Sequence, residues 1–321
     1  MKTIISQSRL KDWRRCHKLH DYKWNQHLKR KFPPRPMLVG QIVHEMLDCY
    51  AKDQDPLLAL SEHERKLKPF LREDPETYGD LIHTCGTLYA NYVEHYREDG
   101  LTFEASELEV ELEMGYFKVV IHIDKLVSDP QVRLWVMDHK CMKSIPDQKR
   151  RMADLQLTVY PFVYNLKHPK QRVNGIIWDY IRTKLPVVPD QLKNGELSKR
   201  SNMDTTFETY KAEITRLGLD EANYADILES LKQKGNTFYD RVYLPTANDE
   251  MTSQVWEDLL MTSEDISDSG ETHTDRNLSF DCDRCQFFEL CKEELRGLDS
   301  VFIRKSQFIE EAPRGYEEAD D

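Results

Sequence analysis

The stretch that decides the fold is Val119–Lys140, VVIHIDKLVSDPQVRLWVMDHK. Two apolar runs, 117–127 and 133–137, flank the turn-forming sequence SDP, and this pattern predicts two antiparallel strands joined by a short loop. Each strand carries an acid where an apolar residue would be expected, Asp124 in the first and Asp138 in the second. Lys140 lies two positions after Asp138, so on an extended backbone both side chains point to the same face.

Two carboxylates and an ammonium group at the end of a hairpin suit a divalent cation and a phosphate. The carboxylates are hard oxygen ligands for Mg2+ or Mn2+, and the lysine can orient a nucleophilic water or stabilise charge on the phosphate. A lone D-x-K sequence is most often a pair of solvated strand ends. The prediction of a site therefore depends on residues elsewhere in the chain.

Composition favours a cytoplasmic globular protein. The chain has 321 residues, of which 39% are apolar, and no run approaches the roughly 18 apolar residues of a membrane span. The N-terminus has no long apolar segment typical of a signal peptide. The net charge of −12 argues against a nucleic-acid partner, but ten Lys or Arg and two Asp lie between Arg9 and Arg35. A local basic surface is therefore compatible with the negative total.

This basic segment, ISQSRLKDWRRCHKLHDYKW, is predicted to form a helix that Ser6 or Ser8 can cap. It interleaves cations such as Arg14 and Arg15 with aromatic residues such as Trp13. Cations for phosphates and flat rings for bases are what a single-strand binding surface requires. A helix that packs its aromatic rings on the core, with its cations in water, explains the sequence equally well.

The remaining pattern predicts an α/β fold. A helix over 37–53 contains His44, helical periodicity continues over 55–99, and the alternating sequence of 107–114 predicts a half-buried strand beside the hairpin. A helix that begins near 152 carries Gln156 and Tyr160 on one face, and 173–182 predicts another strand. The succession favours a mixed sheet with helices packed against it. Region 184–250 is interpreted as an insertion or helical subdomain.

Three cysteines near the C-terminus follow a C-x2-C-x5-C pattern, Cys282, Cys285 and Cys291. Thiolates at such spacing hold zinc or an iron–sulfur cluster, and either centre needs about four ligands. Cys16 is the best candidate for the fourth ligand, and it would join the two ends of the chain. A local zinc knuckle with His273 as the fourth ligand is the alternative.

Taken together, these residues resemble the PD-(D/E)XK nuclease superfamily, in particular its RecB-like branch with an iron–sulfur cluster. That branch includes CRISPR-associated RecB-like exonucleases, the AddB nuclease domain and phage exonucleases. The matching motifs occur in the family's order: Gly40-x-x-x-His44, Asp124, Asp138-His139-Lys140, Gln156-x-x-x-Tyr160 and the cysteines. Each motif alone is weak, but five in the right order are fairly specific.

The resemblance implies a restriction-endonuclease-like core with additional helical regions and a C-terminal cysteine cluster. We expect a single nuclease domain over 1–305. Its parts are a basic N-terminal helix with the first cluster cysteine (1–36), the catalytic core (37–183), the helical insertion (184–250) and the cluster region (251–305). An acidic disordered tail is expected over 306–321.

The resemblance also implies roles for individual residues. Asp124 and Asp138 would bind Mg2+ or Mn2+, with His44 and the backbone carbonyl of His139 completing the metal shell. Lys140 would position the attacking water. Gln156 and Tyr160 would orient Lys140 or the DNA backbone. Cys16, Cys282, Cys285 and Cys291 would hold a structural [4Fe-4S] cluster, with Zn2+ as the alternative.

The implied function is a metal-dependent DNA exonuclease of a phage or prokaryotic cell, acting in recombination, repair or replication. DNA that is single-stranded or has free ends is the expected partner, a recombination or annealing protein is a candidate partner, and no membrane is involved. The residues expected to grip the strand are Trp13, Arg14, Arg15, Lys149, Arg150 and Arg151. Two other classes stay open: a DNA-binding module of the same fold that does not cut, and a zinc-stabilised structural protein.

Overall fold

The computed structural model describes residues 2–200 and 202–311. Its strands are β1 (Thr3–Ser6), β2 (Leu28–Arg30), β3 (Thr102–Met114), β4 (Phe117–Ser128), β5 (Leu134–Met142), β6 (Gly175–Arg182), β7 (Tyr239–Pro245) and β8 (Phe308–Glu310). Its α-helices are α1 (Gln7–Arg15), α2 (His17–His20), α3 (Arg35–Ala51), α4 (Pro56–Glu73), α5 (Pro75–Tyr78), α6 (Leu81–His95), α7 (Gln148–Met152), α8 (Gln156–Lys167), α9 (Phe207–Arg216), α10 (Ala225–Lys234), α11 (Asp249–Ser269), α12 (Phe288–Leu295) and α13 (Val301–Gln307).

The predicted hairpin is confirmed: β4 and β5 pair antiparallel, with Ser128 opposite Leu134. Asp129 organises the turn between them. Its Oδ1 accepts hydrogen bonds from the backbone N–H of Gln131 (3.0 Å) and Arg133 (2.9 Å). Its Oδ2 accepts from the indole N–H of Trp135 at 3.0 Å. The turn's backbone donors therefore have buried partners, which an unpaired loop would lack.

Strand β4 is the centre of a six-stranded mixed sheet. One edge of β4 pairs antiparallel with β3 along its length. The other edge is shared, since 117–120 pair parallel with β1 and 125–128 pair antiparallel with β5. Positions 121–124 lie between these two pairings, where β5 turns away to run parallel with β6. This divergence opens the gap that contains Asp124.

Strand β7 pairs antiparallel with β6 and completes the sheet. Alternate side chains of β6 separate into two cores, as the period of a strand requires. Trp178 and Tyr180 pack in the core that includes residues of α1, α8 and α11, whereas Ile181 packs in the core that includes residues of α3, α4 and α6. Helices therefore cover both faces of a mixed sheet, which confirms the predicted fold class.

The two ends of the chain meet in a smaller unit. Strand β2 pairs antiparallel with β8, and Leu28, Phe287 and Phe308 belong to one apolar cluster. Phe308 is buried and stacks on Phe287 with ring centroids 5.3 Å apart. The expectation that the disordered tail begins at 306 is therefore wrong for 306–311, because burial of Phe308 holds this segment against the N-terminal region. The rest of the predicted tail, 312–321, lies outside the described residues.

The region 184–250 forms two kinds of structure. Helices α9 and α10 surround a separate apolar cluster that includes Tyr210 and Tyr224, while β7 returns to the main sheet. Asp204 anchors the subdomain because it accepts two hydrogen bonds from the guanidinium of Arg182, at 3.0 and 2.8 Å. In the part of the chain that is described, no helix is both long and apolar enough to cross a bilayer.

Candidate active site

The alternation of side chains between the two faces of β4 shifts by one residue at the gap. Asp124 and Lys125 therefore both contact α3. Ile123 and Leu126 share one core although they are three positions apart, whereas strict alternation requires an even offset; such a shift occurs at a β-bulge. Nδ1 of His44 lies 3.4 Å from Oδ2 of Asp124. Lys125 is almost fully buried, and its ammonium lies 3.2 Å from Oδ1 of Asp48, one helical turn beyond His44. Helix α3 is thus held beside the gap at two successive turns.

The peptide groups of His139 join the two sides of the gap. Its N–H donates a hydrogen bond to Oδ2 of Asp124 at 2.9 Å, and its backbone also forms a hydrogen bond with the ring of His44. His139 lies between Asp138 and Lys140, so its own ring points to the opposite face of β5. The predicted metal-site residues of α3, β4 and β5 are therefore brought together.

Helix α8 supplies the third wall of the site. The side-chain N–H of Gln156 donates to Oδ1 of Asp138 at 3.0 Å, and its carbonyl oxygen accepts from Nζ of Lys140 at 2.7 Å. Nζ of Lys140 also lies 2.5 Å from Oδ2 of Asp138. Tyr160 lies one turn further along α8, is buried, and forms a hydrogen bond with Gln156. The structure thus joins all five predicted catalytic residues.

Burial and charge set the protonation states here. Burial, aided by the charges of His139 and Lys140, lowers the pKa of His44 to about 3, so its ring is neutral. Burial and the nearby Asp138 raise the pKa of Asp124 from 3.8 to about 7. Burial lowers the pKa of Lys140, but the charge of Asp138 outweighs this effect and the pKa is raised. The lysine is therefore a cation at physiological pH.

The donors suit a hard divalent cation. Oδ2 of Asp138 is buried and accepts no aligned hydrogen bond, although Lys140 forms an ion pair with it. The carboxylates of Asp124 and Asp138 are ligands for Mg2+ or Mn2+, and the neutral imidazole of His44 suits Mn2+ better than Mg2+. Within 2–200 and 202–311, no three His, Cys, Asp or Glu side chains already stand at metal-binding positions.

Sequence reasoning missed one functional candidate, Asp179. It is fully buried in β6, beside His139 in register. Its signal in the sequence was an acid within the otherwise apolar strand GIIWDYIR. A buried charge is costly unless it is paired. Like Asp124, an acid in this apolar strand therefore indicates a buried polar site.

The four predicted cluster cysteines line a single cavity of about 840 Å³: Cys16, Cys282, Cys285 and Cys291. Cys16 reaches it because the N-terminal helix breaks at this residue, whose extended backbone (φ −171°, ψ 121°) separates α1 from α2. The sequence predicted a continuous helix there, capped by Ser6 or Ser8. Ser6 does cap α1, since its side chain accepts from the N–H of Arg9 at 3.2 Å.

Basic side chains surround these cysteines. The lining includes Arg15, Lys18, Arg276, Lys292 and Arg296. Arg276 Nε lies 3.3 Å from Sγ of Cys291. Neighbouring cations favour anionic thiolate ligands, although burial outweighs the charge of Arg15 and raises the pKa of the Cys285 thiol. His273, the alternative ligand, is not among the described lining residues, whereas Cys16 is.

The predicted DNA-binding residues differ in their exposure and in their partners. Trp13 is only 3% exposed, and its indole N–H donates to Oδ2 of Asp265 at 2.8 Å. Its ring therefore has no free face for a base, and the packing alternative describes this residue. Arg14 donates to Thr262 and to the carbonyl of Asp258 in α11.

The other basic residues lie nearer to solvent. Arg15 donates to the carbonyl of Asp281 beside the cysteines. Lys149 and Arg150 are exposed on α7, whereas Arg151 is bound to Asp240 at 2.6 Å. Lys149 and Arg150 are thus the predicted phosphate contacts best placed to meet a partner.

Comparison with protein families identifies the superfamily of the chain. The model of the PD-(D/E)XK nuclease superfamily matches residues 4–292, which include the hairpin, α8 and the cysteines. The chain belongs to the PD-(D/E)XK nuclease superfamily. Nucleases of this superfamily act on DNA and typically use divalent metals such as Mg2+. The acids and the lysine at the divergence of β4 and β5 lie within the matched residues.

A solved structure from Eubacterium rectale, named "Putative exonuclease", is similar to this PD-(D/E)XK chain at 16% identity and a TM-score of 0.37. The similarity covers 77% of this chain and 91% of that one. Curated proteins give no match.

Proposed function

We propose that the protein is a Mg2+- or Mn2+-dependent DNA exonuclease. The observation that carries this proposal is the contact of Gln156 with both Asp138 and Lys140, beside Asp124. The acid and the cation of the D-x-K motif are thereby held in one cleft beside Asp124, by residues of β4, β5 and α8. A degenerate, binding-only relative would have no need to keep this set intact.

The residues that would hold the cation are Asp124, Asp138, His44 and the carbonyl oxygen of His139. When bound, the cation supplies Lewis-acid stabilisation of the charge that develops on the scissile phosphate. The neutral state of His44 leaves a lone pair for this role. Asp124 must lose its proton before it can act as a ligand, so cation binding competes with protons near pH 7.

Lys140 is assigned to the nucleophile. Its ammonium is held by Gln156 and Asp138, which fixes its direction, and its remaining N–H can donate to the attacking water. Because Lys140 stays protonated, it orients this water rather than removing its proton. Tyr160 packs on Gln156 and keeps the amide aligned with both partners.

The cysteines are assigned to a structural [4Fe-4S] cluster. Support comes from one cavity that all four share and from the cations around it. The cluster would fasten Cys16, between α1 and α2, to Cys282, Cys285 and Cys291 near the C-terminus. Zn2+ held by the same four thiolates is the alternative. Work in recombination, repair or replication, beside an annealing protein, remains a prediction from the family resemblance.

The decisive experiment is degradation of end-labelled single- and double-stranded DNA with Mn2+, Mg2+ or EDTA, by protein purified without air. Wild type should release labelled nucleotides only with metal, and Lys140→Ala should lose activity by at least about 100-fold. The matched control is Lys118→Ala. Lys118 lies on β4, the strand of Asp124, and pairs with Glu111 at 2.8 Å, but it is roughly 20 Å from Asp124 along the strand.

Full activity of Lys118→Ala would show that loss of a strand lysine is not harmful in itself. An inert wild type that retains its visible cluster absorption would refute the nuclease proposal. It would favour the DNA-binding module that does not cut. A colourless protein that contains zinc would correct the cofactor and leave the nuclease proposal standing.

A further inference from the structure

Asp179 lies directly behind the active site, and none of the roles proposed above uses it. The carboxylate accepts hydrogen bonds from Nδ1 of His139 (2.6 Å), the hydroxyl of Tyr92 (2.5 Å) and Nε of Arg241 (3.0 Å). Arg241 in turn donates to Tyr92 at 2.8 Å and pairs with Asp99. A buried charge with this many donors is a rigid anchor rather than a solvated side chain.

His139 connects this anchor to the site. Its ring is 3% exposed, Nδ1 donates to Asp179, and Nε2 is buried without a hydrogen-bond partner in the part of the chain that is described. Along the edge of β5 that faces β4, its peptide groups bond to Asp124 and to His44, whose ring also lies 5.7 Å from the His139 ring. Any rotation of this peptide would move both of those side chains.

We infer that His139 is a positioning residue, which Asp179 holds so that its peptide group keeps Asp124 and His44 placed for the cation. The inference rests on the proposed function. Groups behind metal ligands typically change metal affinity by about 10–100-fold when they are removed. A purely structural role would instead lower stability without a specific effect on the cation.

The test is the affinity for Mn2+, followed by the electron paramagnetic resonance signal of the free ion, in wild type, His139→Leu and His139→Asn. Leucine has a similar volume but no donor for Asp179, which keeps Tyr92 and Arg241 as partners. Asparagine places an N–H near the position of Nδ1. We expect His139→Leu to bind Mn2+ about 10–100-fold more weakly, and His139→Asn to recover most of this loss. Cleavage by His139→Leu should recover at saturating Mn2+.

The matched control is Asp129→Asn. Asp129 is a buried carboxylate of the same hairpin, with several donors, but it lies at the turn, away from the gap. This variant should melt at a lower temperature than wild type and bind Mn2+ normally. If His139→Leu does not fold, His139→Gln replaces it, because glutamine places its amide near Nε2 and leaves Asp179 without this donor.

Three results would overturn the inference in distinguishable ways. Unchanged Mn2+ affinity in His139→Leu would refute the positioning role and leave the nuclease proposal intact. Equal weakening in His139→Leu, His139→Asn and Asp129→Asn would show a general loss of stability. A wild type that neither binds Mn2+ nor cleaves DNA would refute the proposed function and this inference together.

Discussion

Lys140 donates a hydrogen bond from Nζ to Oε1 of Gln156 over 2.7 Å, although the two residues lie on a strand and on the helix packed against it. The amide of Gln156 is fixed from its other end, because its N–H donates to Asp138. An amide that donates and accepts at once is suited to this task, since neither a carboxylate nor an aliphatic side chain can do both.

Replacing Gln156 tests this geometry. Gln156→Leu keeps most of the volume but removes both hydrogen bonds, so Lys140 loses its direction and Asp138 its donor. We expect kcat to fall by about 10–100-fold, as for groups that support an active-site shell, with DNA affinity in EDTA unchanged. The control is Gln233→Leu, which replaces a surface glutamine of α10 whose side chain donates to Glu229 at 2.9 Å. Equal kcat in both variants would contradict the role of Gln156.

The raised pKa of Asp124 predicts how pH affects the metal-free protein. Its pKa is 3.8 in an ordinary environment and about 7 in the fold, because of burial and of Asp138. The folded state therefore binds a proton that the unfolded chain releases. This stabilisation is complete below about pH 4 and is lost as the pH rises through 7.

Asp124→Asn mimics the protonated acid at every pH. In EDTA, the melting temperature of this variant minus that of wild type should increase from pH 5.5 to pH 8. We expect an increase of at least about 2 °C, the shift that roughly 1 kcal/mol produces in a large domain. Added Mn2+ should raise the melting temperature of wild type alone. A difference that does not change with pH would mean that Asp124 titrates as an ordinary carboxyl.

Much of the fold was predictable because strong local patterns decided it. The hairpin around Asp129, the helix that carries His44 and the apolar α8 each follow from sequence pattern and turn chemistry. Asp124, Asp138 and Lys140 were visible because a charged residue in an apolar strand stands out. Their convergence, however, depends on the divergence of β4 and β5, which pairing across the whole sheet determines.

What could not be predicted depends on tertiary burial. Trp13 lies among cations in the sequence, and only the packing of α11 shows that its indole is enclosed and bonded to Asp265. Strand β8 is three residues long, which is too short for a periodic signal in the sequence. It forms because Phe308 packs in the apolar cluster of Leu28 and Phe287. The break at Cys16 likewise has no glycine or proline to announce it.

The proposed cluster predicts that replacing Cys16 and replacing Cys49 have different effects. Cys16→Ser should lose the visible absorption of the anaerobically purified protein, together with stability, because the ends of the chain are no longer fastened. Cys49→Ser is the control, since Cys49 is similarly part-buried but lies on α3 outside the cavity. Iron and zinc analysis of both variants identifies the metal. Normal metal content in Cys16→Ser, with loss in a His273→Ala variant, would favour the local zinc knuckle.

The position of Trp13 separates stability from DNA binding. Trp13→Ala should destabilise the protein by about 3–5 kcal/mol, the usual effect of truncating a buried tryptophan, while its affinity for single-stranded DNA in EDTA, measured below the melting temperature, stays near that of wild type. A Lys149→Ala/Arg150→Ala double variant should behave in the opposite way. It should melt normally, bind DNA more weakly and show a smaller dependence of affinity on salt, by up to about 0.7 per lost phosphate contact on a single strand. Weaker binding by Trp13→Ala with an unchanged salt dependence would restore the base-stacking role that burial of this ring argues against.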